Sequence, residues 1–223
     1  MKNKLEVDSV LLSYRDNKHI LSDCYLACAG GNIIGILGRN GAGKSSLFEV
    51  IFGTLTPQNK FIRINGTPYK KPFIKQLVGY LPQKSMFPKQ QSVKDLLRFM
   101  LAEQRVDRAS ISNERIRKLW NQHIGELSGG ERKYFEVYTM LHMKHPFLLL
   151  DEPFSGIEPI YAHEIENLIK QNPRSKGILI SDHHYEQVIG VSDKLFLLHD
   201  GALKAVHSRH QLEELGYIPA GTF

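Results

Sequence analysis

The sequence predicts an α/β fold, a mixed sheet with flanking helices and an antiparallel β portion, interrupted by an inserted α-helical subdomain. Three stretches predict it. The apolar run Ile33, Ile34, Ile36, Leu37 leads into Gly38-Arg39-Asn40-Gly41-Ala42-Gly43-Lys44-Ser45, and a helical pattern starts at Ser46, giving strand, glycine-rich loop and helix in succession. Phe147-Leu148-Leu149-Leu150 is a continuous apolar run of the kind a strand buried on both faces requires, and it ends in Asp151-Glu152-Pro153. Between these two, from Lys84 to about His123, β-branched runs give way to helical spacing.

Taken in order, residues 5 to 28 alternate apolar and polar around Leu5-Glu6-Val7 and from Ile20 to Cys28, which suits antiparallel strands, with Tyr14 between them. The loop strand and its helix, Ser45 to about Gly53, come next. Lys60 to Asn65 reads as a strand, a short helix falls near Phe73, and Val78-Gly79-Tyr80-Leu81 is a strand entering Pro82-Gln83. Ser92-Val93-Lys94-Asp95 has the form of a capping box ahead of Leu96, Leu97, Met100 and Leu101 at helix period. A second helix follows Ser112, and a third starts at Ser128 with Tyr134, Val137, Tyr138 and Leu141 on one stripe. After the Phe147 strand the pattern gives a helix from Pro159 to about Gln171, a strand from Gly177 to Ser181 and another helix. Leu195 to Leu198 and Leu203 to Val206 then form a hairpin across Asp200-Gly201, ahead of a last helix from Arg209 to about Leu215. The whole reads as one domain, residues 1–223, with a core of 1–83 and 146–223 around a helical subdomain of 84–145.

Composition narrows the class. With 223 residues and 42% hydrophobic content the chain can bury a sizeable core and is not disordered. Its net charge of +6 suits an anionic nucleotide, an acidic membrane surface or nucleic acid, and selects none of them. Cys24 and Cys28 are the only cysteines. Their even spacing puts both on one face of a strand, as packed thiols in a reducing compartment. The polar start Met-Lys-Asn-Lys-Leu-Glu-Val-Asp does not resemble a signal peptide and the apolar runs fall short of a membrane span, so a cytoplasmic protein is expected.

The chemistry gathers on the loop. Its glycines let the backbone wrap with N–H groups pointing inward, Lys44 reaches terminal phosphates, and the Ser45 hydroxyl can hold Mg²⁺ at a positive helix end. Phosphoryl transfer also needs charge neutralisation and a positioned nucleophile. Asp151 is placed to hold Mg²⁺ and Glu152 to polarise an attacking water. Gln83 carries a neutral amide able to meet a metal-bound water. Leu127-Ser128-Gly129-Gly130-Glu131 offers free amides at a helix N-terminus, a second anion site.

These motifs together resemble the ATP-binding-cassette (ABC) ATPases, nucleotide-binding subunits of transporters built on a P-loop NTPase core, over essentially the whole length. On that resemblance Tyr14 is the adenine-stacking aromatic. Gly38 to Ser45 is the Walker A loop, with Gly38, Asn40, Gly41, Gly43, Lys44, Ser45 and Ser46 contacting ATP, and Gln83 is the Q-loop. Ser128, Gly129, Gly130 and Glu131 form the signature, Asp151 and Glu152 the Walker B pair, Ser155 to Glu158 the D-loop, and His183 the switch histidine. The resemblance implies ATP and Mg²⁺ as cofactors, with Ser45, Gln83 and Asp151 around the metal and Glu152, His183 and Lys44 catalytic. It implies a second copy, or a similar ATPase subunit, whose signature completes each site, and a separate permease holding the chain at the inner face of the membrane. No nucleic acid is expected. Asp151 to Ile160 looks most like the lipopolysaccharide-transport and branched-chain amino-acid ATPases. Three departures stand out: Glu158 where the D-loop usually has Asp, Tyr138-Thr139 for Ala-Arg, and a turn Thr56 to Lys60 without glycine. A soluble ABC ATPase, such as an iron–sulfur-cluster assembly subunit, is the competing reading.

Overall fold

The computed structural model describes residues 3–13, 19–171, 175–219 and 221. Six strands assemble into one sheet in the order β10 (Ala202–Val206), β9 (Lys194–His199), β3 (Ile33–Leu37), β8 (Gly177–Ser181), β7 (Phe147–Asp151) and β6 (Val78–Leu81). All neighbours are parallel except the β9–β10 hairpin at one edge. A separate antiparallel sheet contains β2 (His19–Ala29), β1 (Lys4–Ser13), β4 (Asn59–Ile64) and β5 (Thr67–Pro68), in that order. The mixed sheet expected from the sequence therefore resolves into two.

Strand β7 explains how the layers stack. Successive side chains of a strand point to opposite faces, so Phe147 and Leu149 join one core while Leu148 and Leu150 join the other. The first core lies under the antiparallel sheet and contains Leu47, Phe48, Val50 and Ile51 of α1 (Lys44–Phe52). Cys24 and Cys28 are buried there as free thiols, and burial pushes the Cys28 thiol up to about 12. The second core is covered by the helices: α2 (Val93–Met100), α3 (Glu114–Leu119), α4 (Gly129–His142), α5 (Pro159–Gln171), α6 (Tyr185–Val191) and α7 (Arg209–Glu214). Among the described residues no helix is long and apolar enough to cross a membrane.

Helix α4 differs from its expected single stripe. Every residue from Lys133 to Leu141 is buried, because the helix packs against α5 on one side and β6 and β7 on the other. Thr139 manages this by donating its hydroxyl to the Phe135 carbonyl at 2.8 Å, and Tyr138 stacks on His142 with ring centroids 4.0 Å apart. At α2, Ser92 accepts from the Asp95 amide at 3.3 Å, but the Asp95 carboxylate takes the Ser92 hydroxyl at 2.5 Å rather than a backbone amide, so the box is not reciprocal through the backbone. In the glycine-free turn, Gln58 pairs both ways with the backbone of Ser13, accepting from its amide at 2.9 Å and donating to its carbonyl at 3.1 Å. That side chain ties β4 to β1.

Candidate functional site

β3 delivers the chain at Leu37 into the loop, and the loop ends at Gly43, whose φ of 102° precedes the first turn of α1. No side chain caps this helix, so its first amides and the positive end of its dipole are open for an anion. Lys44 is 5% exposed. Its ammonium donates to the carbonyls of Gly38 at 2.7 Å and Arg39 at 3.3 Å. Burial lowers its pKa, and the charges of Glu152, Asp151 and Asp182 oppose that shift.

The open helix end faces a cleft of about 680 Å³. Nine of the residues singled out in the sequence line it: Asn40, Gly41, Gly43, Lys44, Ser45, Ser46, Gln83, Glu152 and His183. Ser155 and Gly156 of the D-loop stretch line it too, as does Ile20, which the sequence did not flag. Gly38, Asp151 and the Ser128–Glu131 segment are not on its wall. Tyr14 lies outside the described residues.

The two acids at the end of β7 part company because Glu152 turns into the left-handed region, φ 50°, its amide donating to the Ser181 carbonyl at 2.7 Å. Asp151, 1% exposed, stays inside. One of its oxygens accepts from the Tyr80 hydroxyl at 3.1 Å and the other from the Ser181 hydroxyl at 2.5 Å. Burial, then the Asp151 charge, push the Tyr80 phenol upward and keep it a donor. Glu152 enters the cleft, where Gln83 donates its amide to Oε2 at 2.7 Å and His183 Nδ1 stands 3.9 Å from the same oxygen.

Asp182 holds the far side together. Fully buried, its carboxylate accepts from the amides of Phe154 (2.9 Å), His183 (2.8 Å) and His184 (3.0 Å), and from the Ser155 hydroxyl at 3.0 Å. It therefore fixes the start of the D-loop and the backbone that presents His183. The sequence contains the cue, Ser181-Asp182-His183, but it pointed only to the histidine. Tyr80 and Ser181 carried no separate signal.

The Ser128 segment is a helix end of another kind. The Ser128 hydroxyl accepts from the Glu131 amide at 3.1 Å and the Glu131 carboxylate accepts from the Ser128 amide at 2.9 Å, a full capping box. Gly130 is glycine because Tyr161 of α5 lies over it: a Cβ there would sit 2.2 Å from the tyrosine ring. Gly129 faces the carbonyl of Gly156, 3.8 Å from where its Cβ would be, so the D-loop stretch that lines the cleft through Ser155 and Gly156 also lies beside the signature.

The sheet, the loop and the open cleft define a P-loop nucleotide-binding protein. The ABC transporter family profile matches residues 21–155. A lipopolysaccharide export system ATP-binding protein, LptB of Acidithiobacillus ferridurans, is 32% identical over 226 residues, covering 95% of this chain and 93% of the relative. This chain belongs to the ABC transporter family, as an ATP-hydrolysing, nucleotide-binding subunit. Two solved structures share the fold: an ATP-binding subunit of an ABC transporter, TM-score 0.78 at 22% identity over 96% of this chain and 93% of that one, and an ATP-binding cassette in its ADP conformation, TM-score 0.78 at 21% identity over 98% and 96%. The resemblance to the ABC ATPases read from the motifs holds, and of the two branches that Asp151 to Ile160 looks like, the lipopolysaccharide-transport one is represented among the relatives.

Proposed function

We propose that this chain binds Mg-ATP in the cleft and hydrolyses it as one half of a head-to-tail pair that drives a separate membrane permease. One observation carries the reading: Glu152 lines the same cleft as an uncapped, glycine-led helix N-terminus and its buried lysine. The amides and Lys44 take the terminal phosphates, where developing charge is stabilised by donors already in place. Glu152 accepts the proton of the attacking water once Gln83 gives up its hydrogen bond, and His183 reaches the γ-phosphate.

The residues present fit a hard divalent cation. Ser45 and Gln83 offer neutral oxygens on the wall, and Asp151 offers a buried carboxylate whose present partners are both neutral hydroxyl donors. When bound, Mg²⁺ supplies charge neutralisation on the phosphate oxygens. The Ser128 helix end serves the nucleotide of a facing copy or a similar subunit, since in its own chain it does not reach the cleft. The helical stretch 84–145, with the surface near Gln83, is the docking face for the permease, and the export role in the name of the LptB relative favours transport over cluster assembly.

Replacing Glu152 with Gln tests both halves of the reading. Phosphate release falls by about two orders of magnitude or more, as expected for loss of the group that activates water, while ATP binding persists. Light scattering then shows an ATP-dependent dimer. Unchanged turnover, or a protein that stays monomeric with ATP, overturns the assignment.

A further inference from the structure

Helix α4 buries a charged pair that the catalytic reading does not use. Lys133 and Glu136, one turn apart, are 8% and 1% exposed. Desolvating both charges is costly, and apolar residues of similar volume usually hold such a position as well or better. The pair is also incompletely satisfied: the Lys133 ammonium is 3.6 Å from Glu136 Oε2, and Glu136 Oε1 is buried with no hydrogen-bond partner. Packing alone does not account for it.

The second partner of Lys133 explains its place. The same ammonium donates to the backbone carbonyl of Gln83 at 3.2 Å, and the Gln83 side chain donates to Glu152 at 2.7 Å. A continuous polar chain thus runs from Glu136 through Lys133 and Gln83 to the Glu152 carboxylate. Lys133 lies five residues into the helix that opens at Ser128, so a shift of the signature end moves the ammonium that holds the Q-loop. Resting on the function proposed above, we infer that Lys133, oriented by Glu136, is a positioning residue that couples the signature helix to Gln83 and so controls when Glu152 is released to work.

The test is a double-mutant cycle on the purified full chain with Mg-ATP. Lys133→Met/Glu136→Leu removes the pair without stranding a buried charge, so its melting temperature stays close to wild type. Its kcat falls about tenfold with KM for ATP within about twofold. Lys133→Gln/Glu136→Gln retains an amide donor for the Gln83 carbonyl and recovers most of the rate. In a Gln83→Ala background, followed by single-turnover phosphate release, removing the pair has no further effect, because the two act in series. An unchanged kcat in the Met/Leu variant, or an equal fall with and without Gln83, overturns the coupling. Should the Met/Leu variant not fold, the Gln/Gln variant is read against Lys133→Met/Glu136→Gln, which keeps a similar volume and lacks the donor: an about tenfold lower kcat in the latter supports the coupling, and equal rates overturn it. Absence of ATP turnover in the wild-type chain would instead sink the function proposed above.

Discussion

Two helices in this chain begin at glycine-rich turns, and their first turns are finished in opposite ways. α1 opens after Gly43 with no side-chain cap, its amides directed at the cleft. α4 opens after Ser128 with a reciprocal box in which the Glu131 carboxylate occupies the helix end. One end is open for a ligand within its own chain, and at the other the box takes up the Ser128 and Glu131 amides and not those of Gly129 and Gly130. The glycines differ as well. Gly43 is required by a backbone angle, φ 102°, whereas Gly130 is required by a neighbour, the Tyr161 ring. A glycine beside a helix start is therefore evidence for an anion site only after the surrounding side chains are known.

The comparison breaks most severely at Gly43. Alanine there meets left-handed strain of about 1–2 kcal/mol and a Cβ 2.9 Å from Ile20 Cγ2. ATP affinity, measured calorimetrically, falls at least about tenfold, the equivalent of 1.4 kcal/mol. At Gly130 alanine overpacks against Tyr161, lowering stability by about 1–3 kcal/mol in urea unfolding while leaving the α1 end able to bind ATP. Adding Tyr161→Ala relieves the clash. A Gly130→Ala protein of normal stability would show that the ring does not set this position. Ser128→Ala gives the smallest change, about 1 kcal/mol for loss of the cap, read by thermal melting with ATP affinity of the isolated chain unaltered.

Much of this was legible in the residues, because the nucleotide motifs are contiguous and each sits where an element ends. The strand before Gly38, the loop, the apolar run into Asp151-Glu152 and the capped helix at Ser128 all fall where local pattern puts them. β1 was harder. Its alternation is readable through Val7 but breaks where its register shifts, between Val7 and Val10 against β2 and between Asp8 and Leu11 against β4, around Ser9 at φ 52°, so its second half lost its period. The division into two sheets was invisible, since strand pairing is not a local property. The residues that sequence reasoning missed act across long separations: Tyr80 on Asp151 at 71 residues, Lys133 on Gln83 at 50, and Asp182 on Phe154 at 28. Nothing within a short window announces such partners.

The left-handed backbone at Glu152 has a consequence for how the chain can vary. Glycine would sit there more comfortably by about 1 kcal/mol, so the fold by itself favours losing the carboxylate. A glutamine carries the same conformational burden as the native glutamate, which makes that exchange a clean probe of proton affinity. On the role proposed for Glu152, stability and hydrolysis pull this one position in opposite directions.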